Sequence, residues 1–502
     1  MINHSTRSPF RNPSTLETIA YLFGISCLGT LFFLGRDGAD NDIIGLCLAI
    51  FYAVLIRAFI RPVSIVRNRE SYFTIEVMFL LSYFAVFYWE YQAHLLGIAN
   101  IKYNTYFYNT YAGFSNKAIT LSTIGLLSFT LGFRKFARRL ALPRDLQGDV
   151  KRGSPIPHLE IGLLVLLLGF IALYLSAGWQ SAAVGRYNDA TSGGAAADGV
   201  YNIILMLAVV AVANLVYSYH RRSLRPISFL IGAVVFSWSV LILVLGDRNS
   251  FFIIAAALGC GVLTYIVKGR RLFILAIVGG SLFLYNFIEV YRARPEASIY
   301  EIAQGIFSPS SASITRDSSL SISTIDVRAA LAIIRDHEDF GYGKYQIIGF
   351  GGVIPFVRGA ILGKTDDFTD TSQVLTRYVV GPNASWNIGT NLIADLYLDL
   401  GVFGVILGLF AIGAFGGRIE AIAHKRPGSQ IVVTFYIITI AYYSEYARYS
   451  TAFPVTSLAW AAALIFGLQA LFGRNARASR STVPRGPTAG ARRGRYPERR
   501  NG

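Results

Sequence analysis

Two properties of the sequence predict an all-α integral membrane protein of about twelve transmembrane helices. The first is composition: 53% of residues are hydrophobic and 15% charged, and the mean hydropathy is +0.47, outside the range of soluble globular domains. The second is a recurrence along the whole chain of apolar stretches about 20 residues long, the length that crosses a hydrocarbon core.

Taken in order, the predicted spans are Thr18–Gly35, Asp42–Ile60, Phe73–Gly97, Lys117–Phe136, Leu159–Gly178 and Tyr201–Tyr219. They continue as Ile227–Leu245, Ser250–Val267, Leu272–Glu289, Ile393–Phe415, Ile431–Ala447 and Ala452–Phe472. The polar lead MINHSTRSPFRNPSTLE precedes the first span with no small-residue cleavage motif behind it, which predicts an uncleaved first helix. Arg57 to Arg69, Arg134 to Arg152, Arg221 to Arg225, Lys268 to Arg271, Arg418 to Arg426 and the tail from Arg474 all fall on alternate connections. Short basic loops stay in the cytoplasm, so this agreement predicts both termini inside and an even number of spans.

The chain therefore divides into spans 1 to 9 (residues 1–289), a large outer loop (290–390), spans 10 to 12 (391–473) and a basic tail (474–502). The tail is rich in Gly, Pro and Arg and is predicted to be disordered. Within the large loop, Ser323 is placed to cap a helix over STIDVRAALAIIRDHED that Gly341 and Gly343 end, and the rest reads as a cap over the membrane. The formal charge of +17 is accounted for by basic loops and tail lying against anionic membrane lipids, with no need of nucleic acid. Cys27, Cys47 and Cys260 fall inside spans without ligand spacing, so neither a disulfide framework nor a metal site is expected.

What the predicted outer face offers is arginine. The stretch VLGDRNSFF interrupts two apolar runs with Asp247, Arg248 and Asn249, while Arg292 and Arg294 follow the ninth span. Arg328, Arg335, Arg358 and Arg377 lie in the large loop with Lys344 and Lys364. Guanidinium groups bind phosphate oxygens in bidentate fashion, so converging arginines suit a diphosphate. The loop arginines have an alternative use, pairing with Asp317, Asp326, Asp336, Glu338 and Asp339 as a solvated surface. Asn391, Asp395 and Asp399 recur at i, i+4, i+8 and share one helix face, either as a packed polar stripe or as a binding surface for sugar hydroxyls. Glu90 and His94, and separately Glu445 and Arg448, have the spacing of helical side-chain pairs, and His337 is a further imidazole in the large loop. IKYNTYFYNTYAGF alternates Tyr and Asn, as interfacial aromatics and sugar-stacking surfaces both do.

Four of these pieces, in order, resemble the bacterial O-antigen or oligosaccharide repeat-unit polymerases of the Wzy type: GDRNSF, YRARP, IPFVRGAILGK and ASWNIGTNLIADLYLDLGVFGVILG, covering roughly Leu243 to Gly408. The resemblance implies a multi-span fold like that of the GT-C glycosyltransferases. It implies transfer of a growing chain from undecaprenyl diphosphate to the next undecaprenyl-diphosphate-linked unit, at the periplasmic face of the bacterial inner membrane and without a nucleotide sugar or soluble cofactor. A chain-length regulator is a partner such enzymes can have. In that chemistry Arg248, Arg292 and Arg294, with Arg358 and Lys364, would hold the leaving diphosphate, and Asn391 and Asp399 the sugar. Arg248 would also stabilise the transition state, and Asp395, Glu90 or His337 would serve as general base. Alternatives are an O-antigen ligase, a polyprenyl-phosphate-dependent enzyme using the acidic first loop (Asp37, Asp40, Asp42), and a flippase or permease.

Overall fold

Among the described residues, the apolar stretches of the sequence fold as helices. The computed structural model describes residues 15–60, 65–66, 69–70, 73–103, 107, 109–139, 159–179, 194–245, 247–267, 319–337, 339–351, 370–384, 387–426 and 428–481. The ninth predicted span, 272–289, the loop residues up to 318 and those from 352 to 369 lie outside them.

The first half of the chain forms α1 (Thr15–Leu34), α2 (Asn41–Ile60), α3 (Ile75–Phe87), α4 (Trp89–Leu95), α5 (Ser115–Arg139), α6 (Leu159–Ser176), α7 (Gly194–His220) and α8 (Pro226–Val244). Then come α9 (Arg248–Val262), α10 (Ser319–His337), α11 (Lys344–Gly351), α12 (Thr371–Val379), α13 (Leu392–Lys425), α14 (Gln430–Tyr443) and α15 (Ala452–Ser481). A two-residue antiparallel pair, Ile65–Val66 with Arg69–Glu70, is the sheet among the described residues. Among the described residues seven helices, α1, α2, α6, α7, α8, α9 with its π-helical extension, and α13, are long and apolar enough to cross a membrane, and α3, α14 and the first part of α15 are shorter apolar helices. The protein is an α-helical, multi-pass membrane protein.

Contacts along the chain order these helices in alternating directions. At one end Arg57 pairs with Glu17, Arg134 with Glu76, and Glu420 accepts from Ile75 N and Tyr436 Oη. Tyr436 packs on Tyr265, which packs on His220 beside Arg221. At the other end Tyr201 donates to Asp247, Asn116 Oδ1 accepts from Asp40 N, and Arg448 donates to Asn249. We call these the basic end and the distal end.

The centre of the bundle is α5. Every residue from Ala118 to Thr130 is buried although many are hydroxylic, and Ser122, Thr123, Ser128 and Thr130 each donate to the carbonyl four residues back. A helix can carry such polar residues into an apolar core because its own carbonyls satisfy them. Against it lies α13, at a separation only glycine permits. A Cβ on Gly132 would strike the Phe410 carbonyl oxygen, one on Gly413 that of Phe129, and one on Gly417 that of Phe133.

The structure departs from the sequence expectation in four elements, and in addition α15 continues to Ser481, past the predicted span end at Phe472 and into the stretch from Arg474 expected to be disordered. The third span is two helices, because Tyr88 leaves helical geometry (φ −120°, ψ −23°) while its hydroxyl bonds Thr123 in the core. The loop helix, α10, starts at Ser319, so Ser323 is inside it and not its cap. Its residues Ser323 to Ile333 are buried against α3, α5 and α13, so it is packed within the bundle and does not merely cover it.

The tenth span runs to Lys425, ten residues past its predicted end, and reverses at Gly401 (φ 64°, ψ −151°). A Cβ on Gly404 would meet the Leu396 carbonyl, and one on Gly408 the Leu396 side chain. In a straight helix those pairs stand about 12 and 18 Å apart. The arm 392–400 is therefore folded back on 402–425, and Ile393 and Val405 both touch the Gly125 position of α5. The fourth departure is the turn after α14. The chain leaves the helix at Tyr443 and Tyr446–Arg448 is a short 3-10 turn, so Glu445 and Arg448 are not spaced on an α-helix as expected.

Gly413→Val pushes a branched side chain into the α5 backbone, whereas Gly467 has open space around it. The expected outcome in detergent melting is a loss of at least about 1–3 kcal/mol for G413V and near-wild-type stability for G467A.

Candidate functional site at the distal end

Burying a guanidinium requires a counter-charge and several acceptors. Arg328 of α10, fully buried, has them: its Nη2 donates to both oxygens of Glu90 (3.1 and 2.9 Å) and to Thr324 Oγ1, Nη1 to Ile101 O, and Nε to Thr324 O. Glu90 therefore pairs with Arg328 and not with His94, whose Nδ1 lies 3.4 Å from Ala99 O. The expectation of a Glu90–His94 pair fails because the buried Arg328 guanidinium, which needs a counter-charge, takes both oxygens of the carboxylate. Arg328 correspondingly leaves the set of surface or phosphate-binding arginines.

The reversal at Gly401 turns the polar stripe of α13 toward the loop helices. Asn391 caps the short arm, accepting from Ala394 N, and donates to Ser323 O of α10. Asp395 accepts from Thr371 Oγ1 (2.6 Å), Gln346 Nε2 (2.9 Å) and Thr451 N (2.9 Å), so one carboxylate ties α12, α11 and the turn before α15 to the bundle. Asp399 accepts from the backbone N–H groups of Gly343, Tyr345 and Gln346 and thereby caps α11. Next to it Tyr342 (φ 48°) and Gly343 (φ 92°) take the left-handed turn that lets those N–H groups converge. In this arrangement Asn391 and Asp399 spend their polar atoms on backbone groups of the protein.

The interruption at residues 247–249 is a helix start. Asp247 caps α9, its Oδ1 accepting from Ser250 N and its Oδ2 from Ser250 Oγ and Tyr201 Oη. Arg248 is the first residue of α9; its side chain lies outside the described residues, as do Arg292, Arg294, Arg358 and Lys364 entirely. Asn249 receives a hydrogen bond from Arg448 Nη1 at 2.9 Å. Burial pushes the carboxyl of Asp326 of α10, which is 3% exposed, well above its usual range against the opposing charge of Arg448, and its Oδ1 meets no hydrogen-bond donor among the described residues. Asn249 and Arg448 thus come together from α9 and the turn after α14, two elements far apart in sequence.

Around this cluster the distal rim is aromatic. Tyr111 stacks on Tyr378 with centroids 5.6 Å apart, His337 meets Tyr378 edge-on, and Arg335 lies 4.6 Å over Phe114. The Tyr378 hydroxyl and, after it, Arg335 hold the exposed Asp336 carboxyl below its usual range. Burial, and beyond it the charge of Asp399, raises the Tyr345 hydroxyl. His337, expected as a base, is exposed on this rim at the end of α10. A separate open cavity of about 360 Å³ is lined by Asp40, Asp42, His94 and Lys102, among others.

One functional candidate, Arg448, and one buried carboxylate, Asp326, were not singled out in the sequence. Arg448 was expected to pair along a helix with Glu445, and Asp326 to be a surface counter-ion. The signal for both was the same: an ionisable residue within an otherwise apolar helical pattern, which is costly unless it is used. No protein-family model, curated protein or solved structure matches the chain.

Arg328→Met leaves Glu90 buried and unpaired, and the expected outcome is a loss of about 3–5 kcal/mol of stability in thermal melting. Replacing both partners, as E90L with R328M, is expected to recover most of it, because two well-packed apolar side chains leave no charge behind.

Proposed function

We propose that this protein polymerises oligosaccharide repeat units carried on undecaprenyl diphosphate. In this reading the chain crosses the bacterial inner membrane about twelve times with both termini in the cytoplasm, and the distal end is the periplasmic face. The observation that carries it is the juxtaposition of Arg448 with the GDRNSF turn, on which the resemblance to repeat-unit polymerases also rests. Alternating helix directions with Arg57, Arg134 and Arg221 at the opposite end support the orientation.

The chemistry follows from the charge that develops. Cleaving a sugar–diphosphate bond builds positive charge at the anomeric carbon and negative charge on the departing diphosphate, so fixed cations at the leaving group bind the transition state more tightly than the ground state. Arg248 is proposed for that role with Arg292, Arg294, Arg358 and Lys364, and Arg448 joins them through its bond to Asn249. Such a cation held by a neighbouring amide needs little reorganisation as the charge forms. The acceptor is the non-reducing end of the next lipid-linked unit, and undecaprenyl diphosphate leaves.

In a deletion strain the expected surface lipid carries a single repeat unit. Full-length polymer retained on its carrier would instead identify a ligase, and absence of both from the surface a flippase. At matched protein levels, R248A is expected to reduce polymer by at least about 100-fold, the effect of removing one transition-state donor, with R248K recovering part of it; unchanged polymer in both removes Arg248 from the site.

A further inference from the structure

The turn between α1 and α2 and the turn after α4 border the open cavity at the distal end, whose lining includes Asp40, Asn41, Asp42, His94, Ile101 and Lys102. Both walls are fixed. Asn116 of α5 accepts from Asp40 N and donates to Arg36 O, Gly38 donates to Gly113 O and accepts from Asn116 N, and Lys117 pairs with Asp37. On the other wall the N–H groups of Gly97, Ile98 and Ala99 fold back on the end of α4, Asn100 Oδ1 accepts from Lys102 N, and Arg328 Nη1 donates to Ile101 O. Walls held in this way cost a ligand little ordering.

The charged side chains between the walls are unspent. Asp40 and Asp42 stand at the start of α2, yet neither carboxylate accepts a capping bond or joins an ion pair among the described residues. The Lys102 ammonium, in the same lining, is equally without a partner among them. Helix capping and ion pairing, the ordinary uses of such charges, therefore do not account for them.

The set of groups selects the ligand. Two carboxylates against one ammonium leave the lining net negative, which disfavours phosphate. Among the described residues no group of His, Cys, Asp and Glu is arranged to hold a metal ion. Hydroxyl groups suit the lining: a carboxylate accepts from two of them at once, an ammonium donates to hydroxyl and ring oxygens, and the Asn41 amide does both. The volume of about 360 Å³ lies at the lower end of the range for ligand sites, about 300–1,000 Å³, which suits a sugar ring or two and not a long polymer.

We propose that this cavity is a sugar-binding subsite holding part of the lipid-linked repeat unit; the choice of that unit as occupant rests on the polymerase reading above. Its negative charge separates it from the arginines proposed for the diphosphate, so the two ends of the substrate are held by groups of opposite charge.

The full chain in detergent is titrated by calorimetry with the repeat-unit oligosaccharide, freed by mild acid from the lipid carrier of the deletion strain. Wild type is expected to bind it saturably, and the double variant D40N/D42N at least about tenfold more weakly, the effect of losing hydrogen bonds to charged groups. K102M, an independent probe from the opposite wall, is expected to weaken binding by about threefold or more. D336N, an exposed carboxylate outside the cavity, serves as the control and binds as wild type does. In polymerisation, D40N/D42N is expected to raise the KM for the lipid-linked unit with kcat changed by less than about threefold, the signature of binding shared by ground and transition states. The subsite is overturned if wild type does not bind the oligosaccharide, if D40N/D42N and K102M both bind it as wild type does, or if kcat falls at unchanged KM. Saturable calcium binding that D40N/D42N abolishes, in place of oligosaccharide binding, identifies a cation site and overturns it too. A wild type that binds the oligosaccharide but forms no polymer overturns the polymerase reading and leaves the sugar subsite standing.

Discussion

The contact on which the rest of the architecture depends is the glycine-lined approach of α13 to α5. Between helices in an apolar medium there is little hydrophobic gain to drive association, so close packing and complementary shape must supply it. Glycines on both helices remove the side chains that would hold the backbones apart: Gly132 on α5 faces Phe410, while Gly413 and Gly417 on α13 face Phe129 and Phe133. Many small dispersion contacts then add up along the seam. The seam also fixes register, because a shift of one residue would place a side chain against a carbonyl.

From that register follows the depth of the α13 arm. With 402–425 locked on α5, the reversal at Gly401 returns the chain so that Ile393 and Val405 share the same spot beside Gly125. Asn391, Asp395 and Asp399 are thereby carried in among α10, α11 and α12 as anchoring groups. Low-dielectric surroundings strengthen each of these bonds and raise the penalty for losing one. The loop helices α10, α11 and α12 are thus tied to the bundle by buried polar bonds.

The basic end is clamped by the same means. Arg134 is buried between Glu76 and Glu17, Arg57 pairs with Glu17, and Glu420 binds the first turn of α3 and the Tyr436 hydroxyl. Ion pairs and hydrogen bonds of this kind hold α1, α2, α3, α5, α13 and α14 at fixed relative heights. Charges at both ends of an apolar bundle leave little freedom for helices to slide, so the geometry of the distal cluster inherits the rigidity of the opposite end.

By itself the sequence determined the class of protein and most of its helices, because crossing a hydrocarbon core demands long apolar stretches and those are visible residue by residue. It also picked out Arg248, Glu90, Asp395 and Asp399, since an ionisable residue in an apolar pattern stands out wherever it is. What only the tertiary structure decided was the partner of each. Helical spacing suggested Glu90 with His94, but the bond runs from Glu90 to Arg328, and Arg448 reaches Asn249, across 238 and 199 residues of sequence. The reversal at Gly401 was equally illegible, because one glycine in a glycine-rich helix carries no mark of a left-handed turn. Spacing along a chain reports only neighbours on the same helix, whereas a buried charge takes whichever counter-charge the folded bundle brings within reach.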